Sequence, residues 1–389
     1  MRHDLQIQLL KDLLAKLDSG TNVDAGGFRK NPTSSYTDPE LAELEWQRFF
    51  RAQPQLIGMS GDIPEPGSFM TMDDFGAPII AVRDEGGRFR ALVNACSHRG
   101  SKLEDRPRGT TRRFTCPFHA WTYSTEGALV GLPKADHFGQ VDLDCHGLVE
   151  LPAEERHGLL WVHPDPNGSL DAAAILGPEL DAEIGSWSFA ELEQITADTY
   201  DMPLNWKLAM DTFGETYHFP ILHRDTLAMS FIGNAQCYET FDRHHRMVLC
   251  RRDIEQMREY PEDQWQITIG GLPVYFLFPN VQLIPNHYGL QLVRAYPVAG
   301  QPGRHVSQIT FYVRPGHAAR DEAHLIANNF AEVIRDEDYR VAAGSQEAAD
   351  SGLIDHLIFG RNEPALHHYH NTFRQALDME PLPLLDSLS

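Results

Sequence analysis

The chain has 389 residues, 33 Lys+Arg against 55 Asp+Glu for a formal net charge of −22, and 42% hydrophobic against 23% charged residues. Such a composition is globular rather than disordered, and its length supports one large domain or two moderate ones. The acidic balance argues against a general nucleic-acid binder or a protein docked on an anionic membrane. Five cysteines are too few for a disulfide scaffold and odd in number, so a reducing compartment, the cytoplasm, is expected.

Residues 1–20 carry Asp4, Asp12 and Asp18 among leucines and stop at Gly20. They read as an amphipathic helix, not a signal peptide. Residues 21–35 are rich in Gly, Asn, Pro and Ser and read as a loop, and a helix is expected over 39–51, opened by Pro39. From 58 to 163 short apolar runs, such as 78–83 and 89–94, alternate with Gly, Pro and Asp, as in a small sheet whose last strand is 159–162. Residues 163–176 read as a linker. Beyond it, helical spacing near 204–219 is followed by strand-like runs at 271–278, 282–284, 290–296 and 306–313. A long helix over 320–343 and a tail helix over 364–377 complete an α+β pattern. The longest apolar stretch, 274–283, is broken by Pro279 and is too short to span a membrane.

Two short loops each pair a thiol with an imidazole, Cys96-Ser97-His98 and Cys116-Pro117-Phe118-His119. In a binuclear iron–sulfur centre two thiolates suit one iron and two neutral imidazoles the other, which raises the potential. Structural zinc also takes four N/S ligands, but Cys-x-His is too tight for the usual finger spacing. With Asn94 before it and Trp121, Tyr123 and Gly127 after it, the pattern resembles the Rieske [2Fe–2S] motif of aromatic-ring-hydroxylating oxygenase α subunits.

A second constellation follows. Leu204, Leu208, Asp211, Glu215 and His218 recur at helical steps, so an apolar stripe turns into Asp, Glu and His. Pro220 bends the chain and lets His223 arrive beside His218. Two imidazoles and one carboxylate make the facial triad of non-haem Fe(II). On the long helix Phe330, Ile334, Asp338, Val341 and Ser345 share a stripe, whereas Asp336 and Glu337 fall on other sides, so Asp338 is the expected third ligand.

The resemblance extends here through Asn205-Trp206-Lys207, Asp211, Glu215, His218, His223, Glu337-Asp338 and Gln346. It implies a Rieske domain (51–165) inserted into a helix-grip, START-like catalytic domain made of N-terminal helices (1–50) and residues 166–389. By the same resemblance Cys96, His98, Cys116 and His119 hold the [2Fe–2S] cluster, and His218, His223 and Asp338 hold mononuclear Fe(II). Glu215 and Asp211 belong to the catalytic machinery. Glu215 stands where the family usually has Asp and resembles the carnitine-type monooxygenases; it bridges His218 to His119 of a neighbouring subunit in a homotrimer, with a small β subunit as an option.

The implied activity is that of a terminal oxygenase using O2 on a small, largely apolar aromatic or alicyclic substrate. A carnitine-type monooxygenase or demethylase of a quaternary ammonium compound is the alternative, and a non-catalytic Rieske electron carrier the alternative of another class. No Gly-x-Gly-x-x-Gly element is present, so NAD(P)H is expected to act only through a separate reductase or ferredoxin. Tyr275, Phe276 and Phe278 are candidates for the substrate pocket wall and Arg294 for a carboxylate anchor, with His244, His245 and His287 unassigned between pocket and surface.

Overall fold

The computed structural model describes residues 1–316 and 320–387. The chain forms two compact units, one of Trp46–Ile175 with Ser188–Glu193, the other of Met1–Glu45, Leu176–Trp187 and Gln194–Ser389.

The first unit is built from short antiparallel strands. A five-stranded sheet runs in the order Glu150–Leu151, Phe89–Val93, Ile79–Arg83, Ser68–Met72, Arg108–Thr110. Two three-stranded sheets join it: Ala153–Arg156, Leu159–Val162 and Gln55–Met59, and the meander Arg113–Thr115, Thr122–Ser124, Leu129–Gly131. In one core cluster of this unit Phe69, Ile80, Val82, Leu92, Phe114 and Leu129 pack with Cys96, Cys116 and Trp121. Burying both thiols in that cluster is what places the two loops together.

The second unit is a seven-stranded antiparallel sheet in the order Glu193–Met202, Gln301–Val313, Gly289–Val298, Val281–Pro285, Gly271–Leu277, His244–Arg251, Phe231–Phe241. The helix Arg320–Val333 packs on the strand Gln301–Val313, and the helices His3–Ser19 and Pro364–Ala376 pack on Phe231–Phe241. The strand Phe231–Phe241 and its neighbour His244–Arg251 do not stand out in the sequence, because polar groups interrupt them. Arg246 is buried there, stabilised by ion pairs with Glu183 and Glu239. A buried guanidinium is tolerated only with such partners, and one of them is remote in sequence.

Two expected helices take a different form. Residues 204–219 are not one helix: an α-helix Trp206–Asp211 ends in turns, and a second short helix, Phe219–Leu222, follows. Gly214 sits in the break, where a Cβ would lie 2.4 Å from Leu366. The long helix continues past 343, through an i→i+5 segment Ile334–Tyr339 into Arg340–Asp350. That wider turn advances the buried stripe, so Asp338, Ala342 and Gln346 face inward and Val341 is exposed. Residues 172–176 of the expected linker already belong to a helix, Ala172–Gly185.

Candidate metal centres and their cavity

The two thiol–imidazole loops are fixed by local bonds. Asn94 donates to the Glu104 carbonyl (2.7 Å) and accepts from the Leu103 and Glu104 amides (2.9 and 3.1 Å), closing the first loop. Within it the Gly100 amide bonds the Cys96 carbonyl, with Gly100 at φ +73°. In the second loop the Cys116 amide bonds the Trp121 carbonyl and the Ala120 amide bonds the Cys116 carbonyl. Tyr123 crosses between the loops: its hydroxyl lies 3.2 Å from Cys96 Sγ and bonds the Ser97 amide at 3.1 Å.

His98 stacks on Trp121 and meets His119 with ring centroids 4.7 Å apart. Its Nδ1 is buried without a hydrogen-bond partner. Burial opposes ionisation of Cys116, but the Phe118 and His119 amides outweigh it and hold the thiol below its usual range. Two buried thiols, of which Cys116 is predisposed to the thiolate, facing two close imidazoles, are the donor set a [2Fe–2S] cluster of mixed ligation requires.

The second site joins elements far apart in sequence. Asn205 caps the helix Trp206–Asp211, accepting from the Lys207 amide at 2.8 Å, and Lys207 forms a buried ion pair with Glu45. Asp211 closes this helix. Its carboxylate accepts from the Tyr36 hydroxyl and bonds His370 Nε2, both at 2.8 Å, and Asn31 holds Tyr36 from behind at 2.9 Å. Asp211 therefore anchors the segment ahead of the triad.

His218 and His223 flank the short helix Phe219–Leu222. The ligand atoms of His218, His223 and Asp338 lie within 4.8 Å of one another. Asp338 Oδ1 is 3.2 Å from His223 Nε2 and 3.4 Å from His218 Nε2. Ligand atoms each about 2.1 Å from one ion, at near right angles, stand roughly 3 Å apart. His218 Nε2 makes no hydrogen bond although it is buried. Both observations fit a metal ion between the three side chains.

The outer nitrogens are held as metal-binding imidazoles usually are. Glu215 binds His218 Nδ1 and the Tyr217 amide. Glu337 Oε2 binds His223 Nδ1 at 2.6 Å and accepts from the Thr226 hydroxyl at 2.8 Å. Burial disfavours the charged imidazoles, but the carboxylates outweigh it: Asp338 and Glu215 raise His218 to about 9, and Asp338 and Glu337 raise His223. So negative a cradle suits a cation. Helical spacing alone places Glu337 away from the site, whereas in the i→i+5 segment it stands behind His223.

A cavity of about 690 Å³ opens beside this triad. It shares Leu227, Phe231, Leu272, Ile284, Phe330 and Val333 with the small space next to His218, His223 and Asp338. The expected aromatic wall is elsewhere. Tyr275 points to the other face of its strand and bonds Trp187 and Glu183, Phe276 packs on His245 and Tyr369, and Phe278 packs on Phe373. Arg294 is buried, and strand alternation turns it to the face opposite Gln291, which lines the cavity. His244 and His245 are both buried, whereas His287 is exposed in the turn after Val281–Pro285.

Among the described residues, no helix is long and apolar enough to cross a membrane.

Residues 53–147 match the Rieske [2Fe-2S] domain, and residues 189–379 match the ring hydroxylating alpha subunit (catalytic domain). The chain is 23% identical over 356 residues to the carnitine monooxygenase oxygenase subunit of Escherichia coli (strain K12), covering 88% of this chain and 92% of that protein. It is 30% identical over 205 residues to the glycine betaine monooxygenase oxygenase subunit of Chromohalobacter salexigens, covering 52% of this chain and 44% of the relative. With several such curated relatives the match spans about half of their length. Among solved structures, a quaternary ammonium Rieske monooxygenase in complex with L-carnitine aligns at TM-score 0.75 and 19% identity over 90% of this chain and 96% of that one. Naphthalene 1,2-dioxygenase from Rhodococcus sp. aligns at TM-score 0.72 and 20% identity over 95% and 98%. An all-β cluster-binding unit set within the sequence of an α+β unit with a His–His–Asp site, matched in both parts, identifies the chain as a member of the Rieske-type non-haem iron oxygenases, the ring-hydroxylating α subunit family, whose cofactors are a [2Fe–2S] cluster and a mononuclear iron.

Proposed function

We propose that this chain is the terminal oxygenase component of a Rieske system, introducing oxygen from O2 into a small, largely apolar substrate with electrons supplied by a separate reductase or ferredoxin. The observation that carries the proposal is the opening of the His218–His223–Asp338 site, past an apolar inner wall, onto a cavity. Cys96, His98, Cys116 and His119 would hold the cluster, and His218, His223 and Asp338 the iron. When bound, these groups supply single-electron transfer and the activation of dioxygen.

The chain's own residues supply the setting. Glu215 and Glu337 fix the outer nitrogens of the two imidazoles, so both Nε2 atoms face the cation. Phe219, Phe231, Leu272 and Ile284 hold the substrate and exclude water. Asp211 tethers the segment that carries Glu215 and His218. We further assign to Glu215 an electron path from His119 of a neighbouring subunit, in a homotrimer with or without a small β subunit, in the cytoplasm.

A second reading is a monooxygenase or demethylase of quaternary ammonium compounds. It is supported by Glu215, whose place beside His218 resembles that in the carnitine-type monooxygenases, and by the match to carnitine monooxygenase over most of the chain. A substrate panel of aromatic hydrocarbons, aromatic acids and betaines, scored by oxygen uptake and product mass with a surrogate reductase, separates the two. In either reading His218→Ala keeps the cluster's reduced-state spin signal and loses iron and product formation. Unchanged turnover in that variant would overturn the proposal.

A further inference from the structure

The large cavity carries polar groups that the proposed chemistry does not use. Among the described residues lining it, Arg251 is the only cation. It ends the strand His244–Arg251, opposite Phe231 in register, and its guanidinium lies over the Phe231 ring at 5.3 Å. Its Nε is buried without a hydrogen-bond partner, and its nearest carboxylate, Asp253, is 4.0 Å away. Among the same residues four carboxylates line the cavity, and three of them have partners of their own, Glu332 being the fourth. Asp225 pairs with Arg224 at 3.2 Å, Asp336 with Arg335 at 2.5 Å, and Glu337 with His223 and Thr226. Arg251 is thus a weakly compensated cation on a wall that it shares with the apolar side chains of Phe231 and Leu272.

On the far side, Gln291 is 1% exposed, and its Nε2 is buried without an acceptor. Asn286 accepts from the Tyr288 and Gly289 amides through Oδ1, which leaves its Nδ2 to donate. The strands of Arg251 and Gln291 are three positions apart in the sheet, roughly 14 Å at the backbone. Buried donors are ordinarily paired, and one left open in a cavity marks the place of a ligand acceptor.

We propose that the substrate bears an oxyanion, a carboxylate or sulfonate, that docks on Arg251, with its apolar body laid over Phe231 and Leu272 toward the triad and Gln291 and Asn286 meeting any further acceptor. This deepens the oxygenase reading and rests on it. The specificity-determining residue is Arg251.

The test uses holoenzyme, anaerobic and without an electron donor, titrated calorimetrically with matched pairs: benzoate and benzyl alcohol, phenylacetate and phenylethanol, hexanoate and hexanol. The wild type binds each acid more tightly than its alcohol. In Arg251→Gln that preference falls roughly 10- to 100-fold while the alcohols bind as before, and Arg251→Lys keeps most of it. Gln291→Leu changes the preference only several-fold. Equal binding of acids and alcohols by the wild type, binding of none of the six, or a preference that survives in Arg251→Gln overturns the proposal. A merely structural arginine would weaken both members of a pair together. Iron content and substrate-dependent oxygen uptake, read on the same samples, report separately on the oxygenase reading.

Discussion

The thiol–imidazole loops take their shape from bonds made between residues 94 and 123, through Asn94, Tyr123 and the turns that carry the cysteines. The His–His–Asp site draws on a capped helix, a short bend and a helix more than a hundred residues later, held together by Glu337, Asp211, Tyr36 and His370. In the first region the residues that bind also lie close to the residues that position them. In the second, the positioning groups belong to other elements, so the same degree of order depends on tertiary packing. Perturbing a support should therefore act locally in the first region and spread through the second.

The largest effect is expected at Glu215, the residue proposed above for electron transfer. Glu215→Ala, supplied with excess iron, should retain both metals yet nearly abolish electron transfer from cluster to iron. Rapid cluster oxidation by the variant in a single-turnover experiment would show that Glu215 is not on the path. Next comes the support behind His223. Glu337→Gln should weaken iron binding about 10- to 100-fold, measured by competition with a chelator, while cluster absorbance stays at the wild-type level. An unchanged iron affinity would mean that the outer carboxylate does not organise the imidazole.

A smaller effect tests the locally built region. Asn94→Ala leaves the Leu103 and Glu104 amides without their acceptor, and should lower stability by about 1–3 kcal/mol in denaturant unfolding followed at the cluster. Iron bound at His218 and His223 should be unaffected. Loss of both metals together would blur the distinction between local and distributed construction.

The smallest is a pH effect. Burial raises the Glu363 carboxyl to about 7; the Gly360 amide opposes the shift, and the charges of Glu215 and Asp211 add to it. A carboxyl raised in the fold above its usual 4.5 favours the protonated folded state, so stability falls as pH rises through the window from about 4.5 to about 7. Glu363→Gln removes this dependence, and its melting temperature should exceed the wild type's at pH 8 by more than at pH 5. Parallel melting curves at the two pH values would show that Glu363 ionises in the fold as it does in the unfolded chain.

The same contrast explains what the sequence discloses. Cys96, His98, Cys116 and His119 announce themselves by spacing, because a local loop writes its geometry into adjacent residues. The terminal helices, His3–Ser19 and Pro364–Ala376, are legible for the same reason, from apolar period and a Gly or Pro at one end. The candidate iron ligands are legible as residue types at helical steps, yet the form of their elements is not. The expected helix stops at Asp211, and at Gly214 just beyond it Leu366 occupies the space of a Cβ; the i→i+5 segment Ile334–Tyr339 likewise leaves Val341 exposed and Glu337 beside His223. Neither contact is written nearby in sequence. The tether that Asp211 makes is not legible, since only the fold brings Tyr36 and His370 to it. The cavity wall is the least legible part. Period-two alternation turns Tyr275 and Arg294 away, and Arg251 is recognisable only when its missing partners can be seen.

The most direct test is metal and sulfide analysis of the anaerobically purified chain beside a His218→Ala/His223→Ala double variant. Two separate iron centres require about three irons and two inorganic sulfides per wild-type chain, with about two irons and two sulfides remaining in the variant. Zinc in place of iron, or an iron content that the double substitution leaves unchanged, would show that the two constellations are not the centres assigned to them.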